Sequence, residues 1–195
     1  NSLPLISYYS VIDMTLDGGL GGVVQSQKNV VLIQDTLNIG FTACKHANGR
    51  DWWVVIIKGK SNLIYKVLLT DQGVQTPVTQ SLGVANVDRN TIQPGFSPDG
   101  KKFAYNYYDG PIGNAYNEVR IFDFDRCTGN FSNPQIVSWG SGFGCLGLAF
   151  SSNSQYLYTV SDFDTIHQIN TDTSNMQASM TVSGRVPPSM RAGPT

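Results

Sequence analysis

The chain has 195 residues with a formal net charge of −1, and 14% of its residues are charged, well below the roughly 25% usual for soluble domains. This charge balance gives no electrostatic reason to expect nucleic acid or an anionic membrane as a partner. The longest apolar run, Trp52–Ile57, has the length of a strand, far short of the about 18 residues that span a bilayer. The 20 glycines, together with many Asn, Ser and Thr residues, favour short strands joined by tight turns.

The first predicted elements are two strands, Tyr8–Met14 and Val30–Gln34, which have the pattern of the last two strands of an incomplete repeat. A hairpin follows at Ala43–Trp53, with Asn48-Gly49 at its turn. The same hairpin recurs at Gly95–Tyr105, where Pro98-Asp99-Gly100 supplies the turn, and again at Ala149–Tyr158. Asn48 and Asp99 are 51 residues apart, and Phe96 and Phe150 are 54 apart, so the sequence contains an internal repeat.

Two further strands follow each hairpin. The predicted third strands are Leu63–Leu69, Val119–Phe124 and Ile166–Ile169, and the predicted fourth strands are Val78–Leu82, Gln135–Trp139 and Ala178–Val182. Pro77 and Pro134 precede two of the fourth strands, as expected for edge strands, where no ladder donor is lost.

Four short strands at a period near 50 residues are typical of a β-propeller blade. We therefore expect an all-β fold, a partial propeller of about three and a half four-stranded blades within a seven-bladed ring. Residues 1–195 would form a single domain with repeats at 1–38, 39–84, 85–140, 141–184 and 185–195, of which the first and last are partial. Ser189–Thr195 resembles the opening of another hairpin, so the sequence predicts a piece of a longer protein.

Three passages, Tyr9–Gly21, His46–Trp53 and Phe122–Gly129, resemble propeller-containing secreted proteins of Bacteroidetes. The resemblance implies an exported protein of the type IX secretion or gliding-type surface class, and it carries over no catalytic residues. The stretch Phe96–Lys102 also resembles the boxes of TolB-type and WD-type propellers, which supports the fold and says nothing of activity.

The densest polar and aromatic cluster is the predicted ligand-binding patch His46, Asn48, Arg50, Asp51 and Trp52, followed by Trp53. One interpretation is a binding rim in which tryptophan stacks on a sugar ring while Arg50 and Asp51 hydrogen-bond its hydroxyl groups. The structural alternative makes Asn48-Gly49 a hairpin turn, pairs Arg50 with Asp51, and places a tryptophan between blades.

Other constellations favour structural roles. His46 and His167 lie on different repeats, and no Gly-x-Ser-x-Gly elbow occurs, so no catalytic triad is predicted. The acidic pairs Asp123/Asp125 and Asp162/Asp164 could suit Ca²⁺ or a glycosidase acid and base, but their places at strand ends favour turn capping. Neither a nucleotide motif nor paired zinc-ligand spacing is present, so no cofactor and no metal are expected.

The three cysteines, Cys44, Cys127 and Cys145, leave two alternatives. A single bridge between Cys127 and Cys145 would suit an oxidising compartment, and otherwise all three thiols are unpaired.

These observations lead to a non-catalytic, secreted or cell-surface propeller module that binds a carbohydrate or protein partner, with neither nucleic-acid binding nor membrane insertion. The remaining blades would come from a longer chain or another copy. A propeller-fold hydrolase or polysaccharide-active enzyme with its site at the ring axis, and a structural spacer in a large secreted adhesin or cargo protein, are the alternatives.

Overall fold

The computed structural model is all-β, built from antiparallel sheets, and describes residues 5–83, 91–110, 115–142, 145–161 and 165–185. The chain divides into two compact units, Asn1–Leu37 and Asn38–Thr195. The all-β class and the repeated sheets predicted from the sequence are confirmed. The predicted hairpin opening at Ser189–Thr195 and the acidic pair Asp162/Asp164 lie outside the described residues.

The first unit contains two small antiparallel sheets. Strand β1 (Leu5–Tyr9) pairs with β4 (Val30–Asp35), and β2 (Ile12–Asp13) pairs with β3 (Gly22–Val23). Short 3-10 helices lie at Asp17–Gly19 and Gln25–Gln27.

The continuous strand predicted at Tyr8–Met14 is wrong, because this segment is divided between β1 and β2. The break falls at Ser10, whose hydroxyl accepts a hydrogen bond from the Asn29 backbone N–H at 3.0 Å. A side-chain bond of this kind replaces the ladder bond that a continuing strand would make.

The second unit contains three consecutive sheets. The first sheet has the order β5-β6-β7-β8, with β9 also pairing with β7, and its strands are β5 (Leu37–Lys45), β6 (Trp52–Lys58), β7 (Leu63–Thr70), β8 (Gly73–Val74) and β9 (Val78–Ser81). The second sheet is β10 (Thr91–Phe96), β11 (Lys102–Asp109), β12 (Ala115–Asp125) and β13 (Asn130–Gly142). The third sheet is β14 (Cys145–Phe150), β15 (Tyr156–Ser161), β16 (Thr165–Asn170) and β17 (Thr181–Arg185).

Two predicted fourth strands differ in detail. Residues predicted as the strand Ala178–Val182 begin instead within a helical turn, α1 (Met176–Ser179), and β17 starts only at Thr181. The turn forms because the Asn175 side chain caps the Ala178 N–H at 3.0 Å and Met176 is buried. Pro134 lies inside β13, at a register shift beside Asn133 (φ 50°), so the edge strand bulges there.

Side chains between neighbouring sheets form two cores. The first junction, between the first and second sheets, is rich in aromatic residues, and its core includes Trp53, Val55, Ile57, Ile64, Phe103, Tyr105, Phe122, Phe124 and Phe131. The second junction, between the second and third sheets, is mainly aliphatic, and its core is Ala104, Val119, Ile121, Val137, Leu148, Leu157, Ile169 and Met176. Each fully buried large apolar side chain contributes about 1.5–3 kcal/mol to stability. Period-two alternation explains the division, since neighbouring residues such as Phe103 and Ala104 face opposite junctions.

All three cysteines are free, as in the second of the two alternatives, and no bridge joins Cys127 to Cys145. Cys145 is buried, with its Sγ 3.4 Å from the Tyr107 carbonyl oxygen and 3.7 Å from that of Glu118. Cys127 lies beyond the other end of β12, after Asp125. The seven residue steps of the strand from Glu118 to Asp125 span about 23 Å. A disulfide needs Cα atoms within about 7 Å, which explains why the pair stays apart.

Candidate functional site

The three predicted hairpins close with the same six-residue turn, at His46–Asp51, Ser97–Lys102 and Ser151–Tyr156. In each turn, the backbone N–H of the first residue donates to the carbonyl oxygen of the sixth, at 2.8, 2.9 and 2.8 Å in chain order. The backbone N–H of the fourth residue donates to the carbonyl oxygen of the first, at 3.0, 2.8 and 2.9 Å. The third residue's Oδ1 accepts the fifth residue's N–H at 3.0, 3.0 and 3.2 Å. The fourth residue has a positive φ in every copy (Gly49, Gly100 and Ser154).

The first turn is fastened to the second sheet by His46. Its Nδ1 accepts the Asn48 N–H at 3.0 Å, so the network assigns the proton to Nε2, which donates to the Cys127 carbonyl at 3.0 Å. The Ala47 N–H also donates to the Arg126 carbonyl, at 3.2 Å. Both imidazole nitrogens are therefore engaged in holding the turn against the β12–β13 connection.

The charged residues of the predicted patch pair with one another. The Arg50 Nε donates to Asp51 Oδ1 at 2.8 Å, and the Arg50 guanidinium reaches Asp71 Oδ2 at 2.9 Å. Hydrogen bonds from Arg50 and from the Asn48 amide hold the pKa of Asp51 below its usual value. The same contact with Asp51, supported by the charge of Asp71, raises the pKa of Arg50. These groups complete a network that joins the first turn to Asp71 in the β7–β8 connection.

The two tryptophans lie on opposite faces of β6. Trp53 is buried in the first junction and donates its Nε1–H to the Arg126 carbonyl at 3.0 Å. Its indole packs so closely on Gly129 that a Cβ there would lie 2.6 Å from the ring, so only glycine fits. Trp52, in contrast, is 45% exposed. Of the five predicted ligand-binding residues, four are engaged in the turn, and Trp52 alone offers an exposed ring face.

A second candidate site is a cleft of about 520 Å³ between the turns of the second and third sheets, hereafter the polar cleft. Its lining residues are mainly charged or polar: Asp99, Lys101, Lys102, Asp123, Phe124, Asn153, Ser154 and Asp172. A groove of about 400 Å³ shares Lys102 and Asp172 with the cleft, and its other lining residues are Asn133, Gln135, Thr171, Thr173, Ser174 and Met176. The shared residues make the cleft and the groove neighbouring parts of one binding surface.

Some lining residues of the polar cleft are fixed by local contacts. Lys102 Nζ pairs with Asp123 Oδ1 at 2.8 Å, and the Asn133 amide donates to Asp123 Oδ2 at 3.0 Å. Burial acts to raise the pKa of Asp99, but hydrogen bonds from the Ser97 hydroxyl and the Lys101 N–H hold it below its usual value. These contacts fix the two carboxyl groups in place, with oxygen atoms that can accept hydrogen bonds on the cleft wall.

Asp172 and Lys101 provide charged groups at the cleft from opposite sheets. The Asp172 backbone N–H donates to Asn170 Oδ1 at 2.9 Å, which fixes the start of the β16–β17 connection, and its side chain is exposed. Lys101 lies in the second turn and is also exposed. The sequence interpretation missed the cleft, although aligning Asp99 with Asn153 placed them in equivalent turns of consecutive repeats.

The remaining predicted constellations have structural roles in the described part of the chain. Asp125 accepts bonds from the Thr128 hydroxyl at 2.7 Å and the Cys127 N–H at 2.8 Å, which lower its pKa and confirm it as a turn cap. Across the described ranges, no group of three or more His, Cys, Asp or Glu side chains is placed to hold a metal ion.

A serine–histidine contact is also present. Ser161 Oγ lies 2.8 Å from His167 Nε2, and the imidazole packs on the Trp139 ring with centroids 4.9 Å apart. Both polar residues are buried, with Ser161 only 1% exposed, so the hydroxyl does not face a site where a substrate could reach it. The geometry is that of a packed polar pair within the second junction.

The described helices include none that is both long and apolar enough to cross a bilayer. Neither a protein-family model nor a curated protein matches the sequence.

Similarity is found among solved structures. The fold is similar to the crystal structure of a "putative 6-phosphogluconolactonase" from Bacteroides uniformis ATCC 8492, with 16% sequence identity, a TM-score of 0.58, and coverage of 89% of this chain and 46% of that one. Hydrazine synthase from Kuenenia stuttgartiensis aligns at 14% identity and a TM-score of 0.47, covering 86% and 55% of the two chains. An auxiliary nutrient binding protein from Bacteroides thetaiotaomicron VPI-5482 aligns at 9% identity and a TM-score of 0.29, covering 90% and 44%. This chain thus spans about half the length of the structures it matches, and at these identities the similarity concerns the fold alone.

Proposed function

We propose that this chain is a non-catalytic β-propeller module that binds a carbohydrate in the polar cleft between its second and third sheets. The observation that carries the proposal is the cleft itself. Its volume of about 520 Å³ lies within the roughly 300–1,000 Å³ typical of small-molecule sites. Its presence also argues against a purely structural spacer, for which a surface without a concave pocket is expected.

The lining chemistry supports a polyhydroxylated ligand. Sugar hydroxyl groups both donate and accept hydrogen bonds, and the cleft offers carboxylate acceptors at Asp99 and Asp172 beside the amide of Asn153. Phe124 and, in the adjoining groove, Met176 also line the site, but both are buried, so the accessible surface is mainly polar. The groove extends the site beyond a single sugar unit, as an oligosaccharide would require.

The electrostatics of the cleft support binding rather than glycoside cleavage. A glycosidase acid needs a carboxyl group whose pKa is raised so that it keeps its proton near neutral pH. In the cleft, Asp99 has a lowered pKa and Asp123 is paired with Lys102. These carboxylates suit hydrogen-bond acceptance, the role that a binding site requires.

The propeller and export parts of the proposal have their own support. Three consecutive antiparallel sheets, closed by equivalent turns and packed through two successive junctions, have the arrangement expected of neighbouring blades. Export rests on the resemblance to secreted Bacteroidetes proteins. Protease treatment of intact source cells, compared with lysed cells, would test it, because a protein that intact cells fully protect is not surface-displayed.

Glycan-array screening followed by calorimetry with the best-bound oligosaccharide tests the binding site. We expect Asn153→Ala and Asp172→Ala to weaken binding at least tenfold, because each removes hydrogen-bonding groups of the polar cleft. Trp52→Ala is the matched control, since it removes the exposed ring of the predicted turn patch.

Loss of binding in the Trp52 variant alone would move the site to the first turn. Failure of the wild-type chain to bind any glycan on the array would overturn the carbohydrate assignment.

A further inference from the structure

The fourth residue of the six-residue turn has a positive φ, a conformation that glycine adopts without steric cost. The first and second turns have Gly49 and Gly100 at this position, whereas the third turn has Ser154, with a φ of 63°. Serine is strained in this conformation relative to glycine. The strain indicates that the side chain of Ser154 makes an interaction that glycine could not make.

At the second turn, this position has no room for a side chain. A Cβ on Gly100 would lie 2.7 Å from the Sγ of Cys44, in the first sheet, and 2.5 Å from the Cδ of Arg126. At the third turn, the equivalent side chain reaches the second sheet, because Ser154 Oγ accepts the Asp99 backbone N–H at 3.1 Å. The position that close packing fills at the second turn thus provides a hydrogen bond between two sheets at the third.

The third sheet holds Ser154 in place for this bond. Ser154 is 8% exposed, and its carbonyl oxygen accepts the Thr171 hydroxyl at 3.2 Å. Thr171 directly follows β16, and its backbone N–H donates to the Gln155 carbonyl at 2.9 Å. Ser154 is therefore fixed by its own sheet on one side and bonded to Asp99 on the other.

The bond from Asp99 to Ser154 lies at the polar cleft, which both residues line. It joins the turn that carries Asp99 and Lys101 to the turn that carries Asn153, so it connects two walls of the cleft. Burial acts to raise the pKa of Asp99, but hydrogen bonds with the Ser97 hydroxyl, the Lys101 N–H and the Ser154 hydroxyl lower it. Ser154 thus contacts both the backbone and the carboxyl group of the opposite turn.

We propose that Ser154 is a positioning residue of the polar cleft, whose hydroxyl joins the second turn to the third and sets the distance between the walls that carry Asp99 and Asn153. The inference rests on the proposed function, since the spacing of the walls affects binding only if a ligand contacts both of them. A bond that exists before the ligand arrives reduces the cost of ordering the two turns on binding.

Amide hydrogen exchange, followed by NMR, tests the link without any ligand. Ser154→Gly allows the same turn conformation and removes the hydroxyl, so exchange at the Asp99 N–H should accelerate by about tenfold or more. The Gly100 N–H donates to the Ser97 carbonyl at 2.8 Å within the same turn, and it is the internal control that should keep its wild-type rate. Acceleration at both amides, or at neither, overturns the proposal.

Two substitutions separate the hydroxyl from the backbone strain. Ser154→Gly removes both, whereas Ser154→Ala removes the hydroxyl and keeps a Cβ at a positive φ, so thermal unfolding should show the alanine variant to be less stable. Both variants should weaken the binding of the best-bound array oligosaccharide by about tenfold in calorimetry. A purely structural role would make binding follow stability, so wild-type affinity in Ser154→Gly overturns the proposal.

The outcomes distinguish this inference from the proposed function. A wild-type chain that binds an oligosaccharide in the polar cleft, together with two Ser154 variants that bind it equally well, overturns the positioning role and leaves the proposed function intact. A wild-type chain that binds no glycan on the array overturns the proposed function and the positioning role together. The exchange rate at the Asp99 N–H then still measures the link between the turns.

Discussion

The two junctions of the second unit have equivalent turns but differ in the side-chain contacts that these turns make with the next sheet. At the first junction, His46 and Trp53 reach across to backbone carbonyl groups of Cys127 and Arg126 and close the space between the sheets. At the second junction, the residues at the corresponding turn positions are Ser97 and Ala104. The Ser97 hydroxyl bonds within its own turn, to Asp99 Oδ1 at 2.6 Å. The polar cleft occupies the space that remains.

Strand length adds to the difference. The pairs Lys102↔Asp123 and Tyr156↔Asn170 occupy the same position in their hairpins. β12 continues two residues beyond Asp123, whereas β16 ends at Asn170. The second sheet therefore extends a turn toward the first sheet, and the third sheet has no equally long extension toward the second. In a repeat fold, a recess thus forms where the packing between neighbouring sheets lacks large side chains or a long hairpin. A ligand can bind in such a recess.

The largest effect is expected from opening the first junction. Trp53→Ala places at this position the residue type found at the equivalent position 104. It should lower the free energy of unfolding by about 3–5 kcal/mol, because a buried indole and its hydrogen bond are lost. Trp52→Ala, on the exposed face of the same strand, is the control and should cost about 1 kcal/mol or less. Urea denaturation of both variants measures the difference. Equal losses would show that Trp53 does not close the junction.

A smaller effect is expected from the same substitution in two equivalent turns. Gly49 and Gly100 have φ values of 76° and 71°, so serine at either position costs about 1–2 kcal/mol of backbone strain. At Gly100, the added Cβ would also lie 2.7 Å from the buried Cys44 Sγ, whereas nothing lies within 4 Å at Gly49. We therefore expect Gly100→Ser to destabilise the chain by about 2–4 kcal/mol in total, and Gly49→Ser only by the strain. If thermal and urea unfolding rank the two variants in the opposite order, the close packing at the second turn is wrong.

Local patterns predicted the turns well and their surroundings poorly. Asn48, Asp99 and Asn153 were aligned from spacing alone, and the structure places all three in the same hydrogen-bonded role, because an Asx residue and a positive φ specify a turn locally. The structural alternative for the first patch was also correct in its parts, with Arg50 paired to Asp51 and Trp53 buried.

The sequence could not locate the polar cleft. The cleft depends on how far β12 and β16 extend and on which side chains face across a junction, and both are tertiary properties. The helical turn at Met176–Ser179 was missed for a related reason, since it depends on burying Met176 against the second junction. The order of strands was therefore more predictable than the spaces between sheets.

Acid should affect the second turn through Asp99. Its pKa is lowered in the folded chain, so the stabilisation by this carboxylate is complete above its unfolded pKa and is lost as the pH falls through the folded value. Asp99→Asn keeps the Oδ1 acceptor that Asn48 and Asn153 provide in the other turns and removes the charge. We expect near-wild-type stability at pH 7 and a smaller loss of stability as the pH falls below about 4, measured by thermal unfolding. An unchanged acid profile would show that Asp99 does not contribute to it.

The smallest perturbation is thiol labelling, which reports on each junction separately. Cys127 is exposed and should react at once with Ellman's reagent, whereas Cys44 in the first junction and Cys145 in the second are buried. Burial raises the pKa of Cys145 to about 12, so roughly one thiol in ten thousand is ionised at pH 8. In a Cys127→Ser background, Trp53→Ala should accelerate the labelling of Cys44 and leave that of Cys145 nearly unchanged, if the junctions open independently. Equal acceleration of labelling at both thiols would instead show that the three sheets unfold as one cooperative unit. The packing of the first junction would then also stabilise the second junction.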